Sequence, residues 1–220
     1  MKQKIFSIII PVKDEEQFYI KRVVKNIKRV FKNSKYEIIF AKTQKEKIFL
    51  KDRFIKFINS PQGRGVQLNT GAKLAKGDIL IFLHCDTILP EAAEKLILEN
   101  LENNVILSFK YSTYPGKFFL KFIEFFTNLR CFFSKTPYGD QCYIMYRELF
   151  EKIGGYPEQE LEDVKFIKKA KQNRVRIKIL NSKIKTSPRR YYREGFLETM
   201  VNNRITIMRY LINEFFKNSL

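Results

Sequence analysis

The sequence contains 220 residues, of which 45% are hydrophobic and 15% aromatic, a composition that excludes a disordered chain and suffices for one sizeable core. Its 42 Lys and Arg residues against 23 Asp and Glu give a formal net charge of +19, which either favours an anionic partner or reflects Lys as the ordinary surface residue. Three cysteines without a Cys-x-x-Cys pair indicate neither a disulfide framework nor a zinc site, and a reducing cytoplasm is the expected location.

The first part of the chain alternates predicted strands with predicted helices. Residues 4–11 form an apolar strand that is too short for a signal peptide, and an acidic loop follows at residues 14–16. Apolar residues recur at helical spacing over residues 18–31, and further strands are predicted at residues 36–41 and 54–58. This alternation predicts an α/β fold in which strands pair in parallel through right-handed crossovers.

A glycine-rich segment precedes the next predicted helix, which covers residues 66–76. Gly63 and Gly65 free the backbone at its start, and Arg64 places a planar cation between them. A helix N-terminus with an Arg suits a phosphate group, although a glycine-rich turn before a helix usually serves only the turn.

The most informative stretch is a predicted strand with polar residues at its end. Residues 79–83 are all apolar, as in a strand buried on both faces in the middle of a parallel sheet. His84 and Asp86 follow at the sheet edge where ligands bind. In extended geometry both side chains project to the same side and could share one divalent cation, and the His shifts the preference from Mg²⁺ toward Mn²⁺. The alternative is a turn in which Asp86 or Thr87 caps a helix predicted at residues 90–101.

An amphipathic aromatic helix is predicted at residues 117–133. Its pattern is compatible with a helix on a membrane surface, and is more often that of a core helix or a dimer face. No stretch reaches the roughly 18 uncharged residues that a membrane span needs, so we expect no transmembrane helix.

The remaining elements predict a single domain over residues 1–195, with a helix within residues 196–220 packed on it or at an interface. They are, in chain order, a strand at 105–109, a strand at 142–146, a short helix at 149–153, a helix at 165–172, a strand at 175–180, a basic aromatic loop at 186–192 and a helix at 196–216. Glu162 and Asp163 fall at the start of a helix, where the dipole favours carboxylates, so their default role is capping.

Short motifs, in this order and spacing, resemble those of the family 2 glycosyltransferases from Ser7 to about Tyr192. They are Ile8-Ile9-Ile10-Pro11 with Asp14-Glu15-Glu16, residues 64–72, Gly77-Asp78 before His84-Cys85-Asp86, and Gly154-Gly155-Tyr156-Pro157 before Glu162-Asp163. Residues 83–87, 138–141 and 186–190 look most like a bacterial subgroup known as radical-SAM and selenodomain-associated transferases. The resemblance implies a GT-A fold, with a mostly parallel central sheet flanked by helices and a C-terminal helical appendage. It also implies metal-dependent sugar transfer from a nucleotide-sugar donor, with inversion at the anomeric carbon.

The resemblance further implies roles for single residues at the donor. Asp86 reaches a divalent cation, Mn²⁺ or Mg²⁺, that bridges the donor diphosphate, and His84 takes the place of the first Asp in the usual Asp-x-Asp. Pro11 and Glu15 lie near the nucleoside. The other donor-binding residues that it implies are Arg64, Gln67, Arg189 and Arg190.

On the acceptor side, Asp163 matches the catalytic base of the family, which removes the proton of the acceptor hydroxyl, while Glu162 orients or caps. Lys42 departs from the family pattern, which usually has an Asp here that contacts the nucleotide base. A Lys cannot accept the hydrogen bond that an Asp accepts from a uracil N–H. The donor base therefore stays open, with Glu46 as a substitute acceptor if the loop is rearranged.

Two other function classes stay open from the residues. A nucleotidyl or other sugar-phosphate transferase would need further carboxylates around the metal. A non-catalytic module that binds polyanions or a membrane face is favoured by Lys42 and the net charge of +19, and disfavoured by Asp86 and Asp163. We expect a nucleotide-sugar partner, no nucleic acid, and an unidentified acceptor for which a lipid-linked molecule is one candidate. Peripheral contact with the inner face of the cell membrane and a homodimer stay open.

Overall fold

The computed structural model describes residues 4–13, 17–43, 50, 52–193, 195 and 198. The acidic loop predicted at residues 14–16 lies outside the described residues, and so does the predicted C-terminal helix apart from Glu198. Within the described ranges, no helix combines the length and the apolar character that crossing a membrane requires.

The described residues form one sheet with helices around it. Its strands are β1 (Ile5–Val12), β2 (Lys35–Lys42), β3 (Ile55–Asn59), β4 (Ile79–Phe82), β5 (Thr87–Ile88), β6 (Val105–Thr113), β7 (Tyr143–Tyr146) and β8 (Arg176–Thr186). The helices are α1 (Gln17–Val30), α2 (Arg64–Leu74), α3 (Ala93–Asn100), α4 (Phe118–Ser134), α5 (Arg147–Ile153), α6 (Glu162–Gln172) and α7 (Arg189–Arg193), with a 3-10 turn at Gly139–Gln141.

The strand order in the sheet is β3-β2-β1-β4-β7-β6-β8-β5. The run from β3 to β4 is parallel, as is the pair β6 and β8, whereas β7 is antiparallel to both of its neighbours and β5 is antiparallel to β8. The α1 and α2 crossovers connect the parallel strands of the first half. This arrangement confirms the predicted α/β class with a mostly parallel sheet of GT-A type.

Strand β1 shows why the central strands are apolar throughout. Ile8 and Ile10 pack into a core that includes the buried residues of α1, while Ile9 packs into a second core that includes those of α2. All three side chains have no exposed surface. Because helices cover both faces of the sheet, alternate residues of a strand are equally buried. The same reason explains the four buried residues of β4.

The last strand is longer than the sequence pattern predicts. The strand predicted at residues 175–180 continues as β8 to Thr186, since it stays paired with β6 beyond an irregularity at Phe109 and Lys110. Polar residues such as Lys183 alternate there with the buried Ile184, and the prediction stopped at the first of them. Part of the loop predicted at residues 186–192 is helix α7, while β5 and the 3-10 turn had no prediction.

The aromatic helix predicted at residues 117–133 is α4. Only Leu120, Glu124 and Cys131 of its described residues are fully buried, and most of its phenylalanines are exposed. For this aromatic face the core alternative is therefore wrong.

We predict that Gly77→Ala destabilises the fold. A Cβ at this position would lie 2.6 Å from the carbonyl oxygen of Ile5 and 2.8 Å from the backbone nitrogen of Ser7, where only backbone movement could relieve the clash. The free energy of unfolding should fall by about 1 to 3 kcal/mol, measured by urea denaturation. Gly116→Ala is the matched control, because the nearest atoms there lie 3.4 Å away. Equal effects of the two substitutions would contradict this explanation.

Candidate functional site

A cavity of about 910 Å³ opens at the carboxyl ends of the parallel strands β1 and β4. This is the edge at which open α/β sheets bind ligands. Six of the predicted site residues line it, namely Pro11, Arg64, Gln67, His84, Asp86 and Arg189. Glu162 lines it as well, and Asp163 follows in the first turn of α6.

His84 and Asp86, in the segment after β4, are both partly buried and close to Arg189. Burial lowers the pKa of His84 to about 3, with the charges of Arg64 and Arg189 acting in the same direction. The imidazole is therefore neutral at neutral pH and able to bind a metal or a hydrogen-bond donor. Asp86 has its Oδ2 3.0 Å from Nε of Arg189. Burial raises the pKa of Asp86 above its ordinary value, against the lowering effect of Arg189.

Arg64 begins helix α2 directly after Gly63, whose φ of 133° is unfavourable for other residues. Its guanidinium donates a hydrogen bond from Nε to Oε1 of Glu162 at the start of α6. A Cβ at Gly65 would lie 2.5 Å from the carbonyl oxygen of Pro157, so a glycine is needed for α2 to approach this segment closely. The glycines of the segment thus bring the Arg64 cation to the cavity.

Gln67 lines the cavity and also supports it. Its Nε2 donates hydrogen bonds of 2.8 Å to the carbonyl oxygens of Val12 and Ala41. These carbonyls lie at the carboxyl ends of β1 and β2, so the Gln67 amide ties together the two strand ends under the cavity.

Gly139 lies between His84, which was predicted at the donor, and Asp163, which was predicted as the base. Its backbone N–H donates a 2.8 Å hydrogen bond to Oδ2 of Asp163, while Oδ1 of Asp163 accepts from the N–H of Val164 at 2.8 Å. A Cβ at Gly139 would lie 3.3 Å from both Nε2 of His84 and Oδ2 of Asp163. The end of β4 and the start of α6 therefore meet across this glycine.

Asp140 is a site residue that sequence reasoning missed. Its Oδ1 is buried and has no hydrogen-bond partner in the part of the chain that the structure describes. Burial, followed by the negative charge of Asp163, raises the pKa of Asp140 to about 7, and Asp86 acts in the same direction. The available signal was the motif at residues 138–141, which the sequence analysis used only for the resemblance to a transferase subgroup.

The turn that carries Asp140 is held firmly by Gln141. The Gln141 side chain donates from Nε2 to the carbonyl oxygen of Phe109 at 2.9 Å, and the backbone carbonyl oxygen of Gln141 accepts from Oγ of Ser108 at 2.9 Å. The next residue, Cys142, has a φ of 63°. These contacts fix the backbone on the C-terminal side of the unpartnered carboxyl oxygen.

Some predicted residues fall elsewhere or outside the described residues. Lys42 donates a 3.1 Å hydrogen bond to Oδ1 of Asn59 at the end of β3, and the cavity-lining set of described residues does not include it. Glu15, Glu46 and the side chain of Arg190 lie outside the described residues.

Both the sequence and the fold of this chain are similar to those of known proteins. Residues 7–154 match the family model described as Glycosyl transferase family 2. The structure is similar to mannosyltransferase PcManGT from Pyrobaculum calidifontis in complex with GDP-Man and Mn²⁺, with 17% sequence identity and a TM-score of 0.63. It is also similar to S. aureus TarS 1–349, with 18% identity and a TM-score of 0.59.

The two structural matches cover most of this chain but a smaller share of the neighbours. They span 84% and 83% of this chain, against 57% of PcManGT and 60% of TarS 1–349, so the chain is matched to less than two thirds of either neighbour. At these identities the likeness shows a shared fold. No curated protein matches the sequence at a significant level.

We predict that Asp140→Asn stabilises the protein in a pH-dependent way. Because the pKa is raised from 3.8 to about 7, the folded state binds more protons than the unfolded state between these values, and wild-type stability falls as the pH rises through that window. The variant should be more stable than the wild type by up to about 4 kcal/mol above pH 7 and equal to it near pH 4. Urea denaturation at the two pH values measures this difference.

The control for this experiment is Glu99→Gln, which changes an exposed carboxylate on α3. It should leave the pH dependence of stability unchanged. A stability difference between the Asp140 variant and the wild type that does not vary with pH would contradict the assigned cause.

Proposed function

Because the chain belongs to glycosyl transferase family 2, we propose that it transfers a sugar from a nucleotide-sugar donor to an acceptor hydroxyl with inversion at the anomeric carbon. The observation that carries the proposal is the cavity at the strand ends, which is lined by His84, Asp86 and Arg64. Gly139 lies between His84 and Asp163, so Asp163 is close to the same residues. A structural neighbour solved with GDP-Man and Mn²⁺ supports the class of donor. Membership in the radical-SAM-associated subgroup and a cytoplasmic location are part of the proposal and rest on sequence motifs and composition.

The residues around Asp86 fit a divalent cation, Mn²⁺ or Mg²⁺. His84 offers a neutral imidazole and Asp86 offers a carboxylate, and both side chains line the cavity. No three His, Cys, Asp or Glu side chains of the described residues form a complete metal site, so phosphate oxygens of the donor would supply the missing ligands. When bound, the cation would neutralise the charge that develops on the leaving nucleoside diphosphate.

Donor binding would exchange ion pairs that already exist at the cavity. Arg189 is paired with Asp86, and Arg64 is paired with Glu162. A diphosphate competes for both guanidiniums, which suit phosphate oxygens, and frees the Asp86 carboxylate for the cation. The cavity therefore already holds two guanidinium groups that can bind the anionic oxygens of a ligand.

Asp163 acts as the base in this proposal. The two N–H groups of Gly139 and Val164 orient its carboxylate, and each oxygen keeps a further acceptor position for the acceptor hydroxyl. The hydroxyl oxygen attacks the anomeric carbon opposite the leaving group, its proton passes to Asp163, and the electron pair of the broken C–O bond leaves with the diphosphate. No observation in the described part of the chain favours the non-catalytic alternative.

Donor binding is tested by thermal unfolding with a panel of nucleotide sugars, each with and without Mn²⁺. We expect one nucleotide to raise the melting temperature by several degrees in the presence of Mn²⁺, because a ligand that binds only the folded state stabilises it. In Asp86→Ala the Mn²⁺-dependent part of this shift should disappear, while the exposed Glu99→Ala retains it. A shift that is the same with and without Mn²⁺ in all three proteins would remove the cation from the proposal.

The base is tested with Asp163→Asn, which keeps the size of the side chain and can accept one of the two hydrogen bonds from Gly139 and Val164. Donor binding should persist, while kcat for sugar transfer should fall by about 10²- to 10⁴-fold because the amide cannot accept the proton. Glu160→Gln, an exposed carboxylate just before α6, should keep wild-type kcat. Full turnover by the Asp163 variant would refute the assignment of the base.

A further inference from the structure

Helix α4 presents an apolar face to solvent, which we call the α4 stripe. It consists of Phe118, Phe122, Phe125, Phe126, Leu129, Phe132 and Phe133. Their exposed fractions run from 39% for Leu129 to 82% for Phe118. Exposed apolar patches of this kind are rare on monomeric soluble proteins and mark interaction sites.

The α4 stripe is continuous along the helix. Successive members are one, three or four positions apart in the sequence, so they lie on one side of the α-helix. Over the 17 residues of α4 the stripe is about 25 Å long. The opposite side holds Leu120 and Cys131, which are buried against the domain. This geometry suits a flat apolar partner rather than a single side chain.

The border of the stripe is positively charged. Lys117, Lys121 and Lys135 are exposed at its ends and side, and the ammonium of Lys135 lies 5.1 Å from the ring centre of Phe132. The only acidic residue of α4, Glu124, is buried and accepts hydrogen bonds from Thr113 and Lys121. No exposed carboxylate of this helix therefore opposes an anionic partner.

This charge pattern discriminates between partners. A second copy of the chain that docked through the same stripe would bring two lysine borders together, in a chain whose formal net charge is +19. An anionic bilayer offers both an apolar interior for the aromatic side chains and phosphates for the lysines. We propose that the α4 stripe is a docking site for an anionic lipid surface, with its phenylalanines in the boundary between headgroups and acyl chains.

The C-terminal half of α4 also packs on the turn that borders the candidate active site. The guanidinium of Arg130 lies 3.4 Å from the ring centre of Tyr138, and Sγ of Cys131 donates to Oε1 of Gln141 at 3.2 Å. The same turn includes Gly139, which bonds to Asp163. When α4 is docked, the turn at Gly139–Gln141 and the Asp163 side chain bonded to it lie close to the lipid headgroups, where a lipid-linked acceptor would be found.

Docking is tested by flotation of the 220-residue chain with vesicles of phosphatidylcholine, with and without phosphatidylglycerol. We expect the chain to float with the anionic vesicles, and less so as salt is raised. The variant Phe122→Ser/Phe126→Ser/Phe133→Ser should bind at least about tenfold more weakly, since each exposed Phe contributes apolar area to insertion. These positions are exposed, so the variant should keep its cooperative thermal unfolding.

The matched control replaces three exposed apolar residues elsewhere, as Phe18→Ser/Leu74→Ser/Leu98→Ser, and should float like the wild type. Failure of the 220-residue chain to float would overturn the proposal. Equal flotation of the stripe variant would overturn it as well.

Two further readouts separate this proposal from its competitors. Sedimentation that shows a wild-type dimer, converted to a monomer by the stripe variant, would assign the stripe to a second copy and overturn lipid docking. Flotation requires neither a nucleotide sugar nor Mn²⁺, and the stripe variant should show the same donor-induced thermal shift as the wild type. A failure of the proposed transfer activity would therefore leave the docking result intact.

Discussion

The hydrogen bond from the Gly139 N–H to Asp163 is the constraint on which the rest of the site depends. It holds the first turn of α6 against the end of β4, and the absent side chain leaves just enough space for His84 on the other side. Any Cβ would press on both functional groups at once. The site therefore has two parts, one from the sheet edge and one from α6, and Gly139 lies between them.

Around this fixed point, charge is arranged in compensating pairs. Arg189 faces Asp86 and Arg64 faces Glu162, so each of these charges has a partner of opposite sign within the folded chain. Asp140 is the exception, because one of its oxygens has no partner in the described part of the chain and its pKa is raised to about 7. A folded protein tolerates such a group where a ligand or a cation completes it. The preorganised charges support transition-state stabilisation in the proposed reaction.

The sequence predicted the elements whose burial it encodes directly. The strands around Ile9 and residues 79–82 are apolar on both faces, and the polar residues that follow them had to lie at the edge of the sheet, so Asp86 and His84 could be identified. Gly139 and Asp140 could not, since Gly139 acts through a hydrogen bond to Asp163 and the pKa of Asp140 is raised by burial and by the charge of Asp163, which is more than twenty residues away in the chain. The second half of β8 was missed because it contains polar residues and shows no apolar run. It is a strand because it pairs with β6.

Helix α4 shows the limit of amphipathic patterns most clearly. The sequence pattern alone left core, dimer and membrane as alternatives, because periodicity identifies a face without saying where it points. In the structure Glu124 turns inward, where Thr113 and Lys121 satisfy its carboxylate, and the phenylalanines turn outward. A buried acid is costly unless it is hydrogen-bonded, so these contacts make the inverted orientation stable. The aromatic side chains are then left on the surface, so the packing of the domain does not account for the apolar character of this helix.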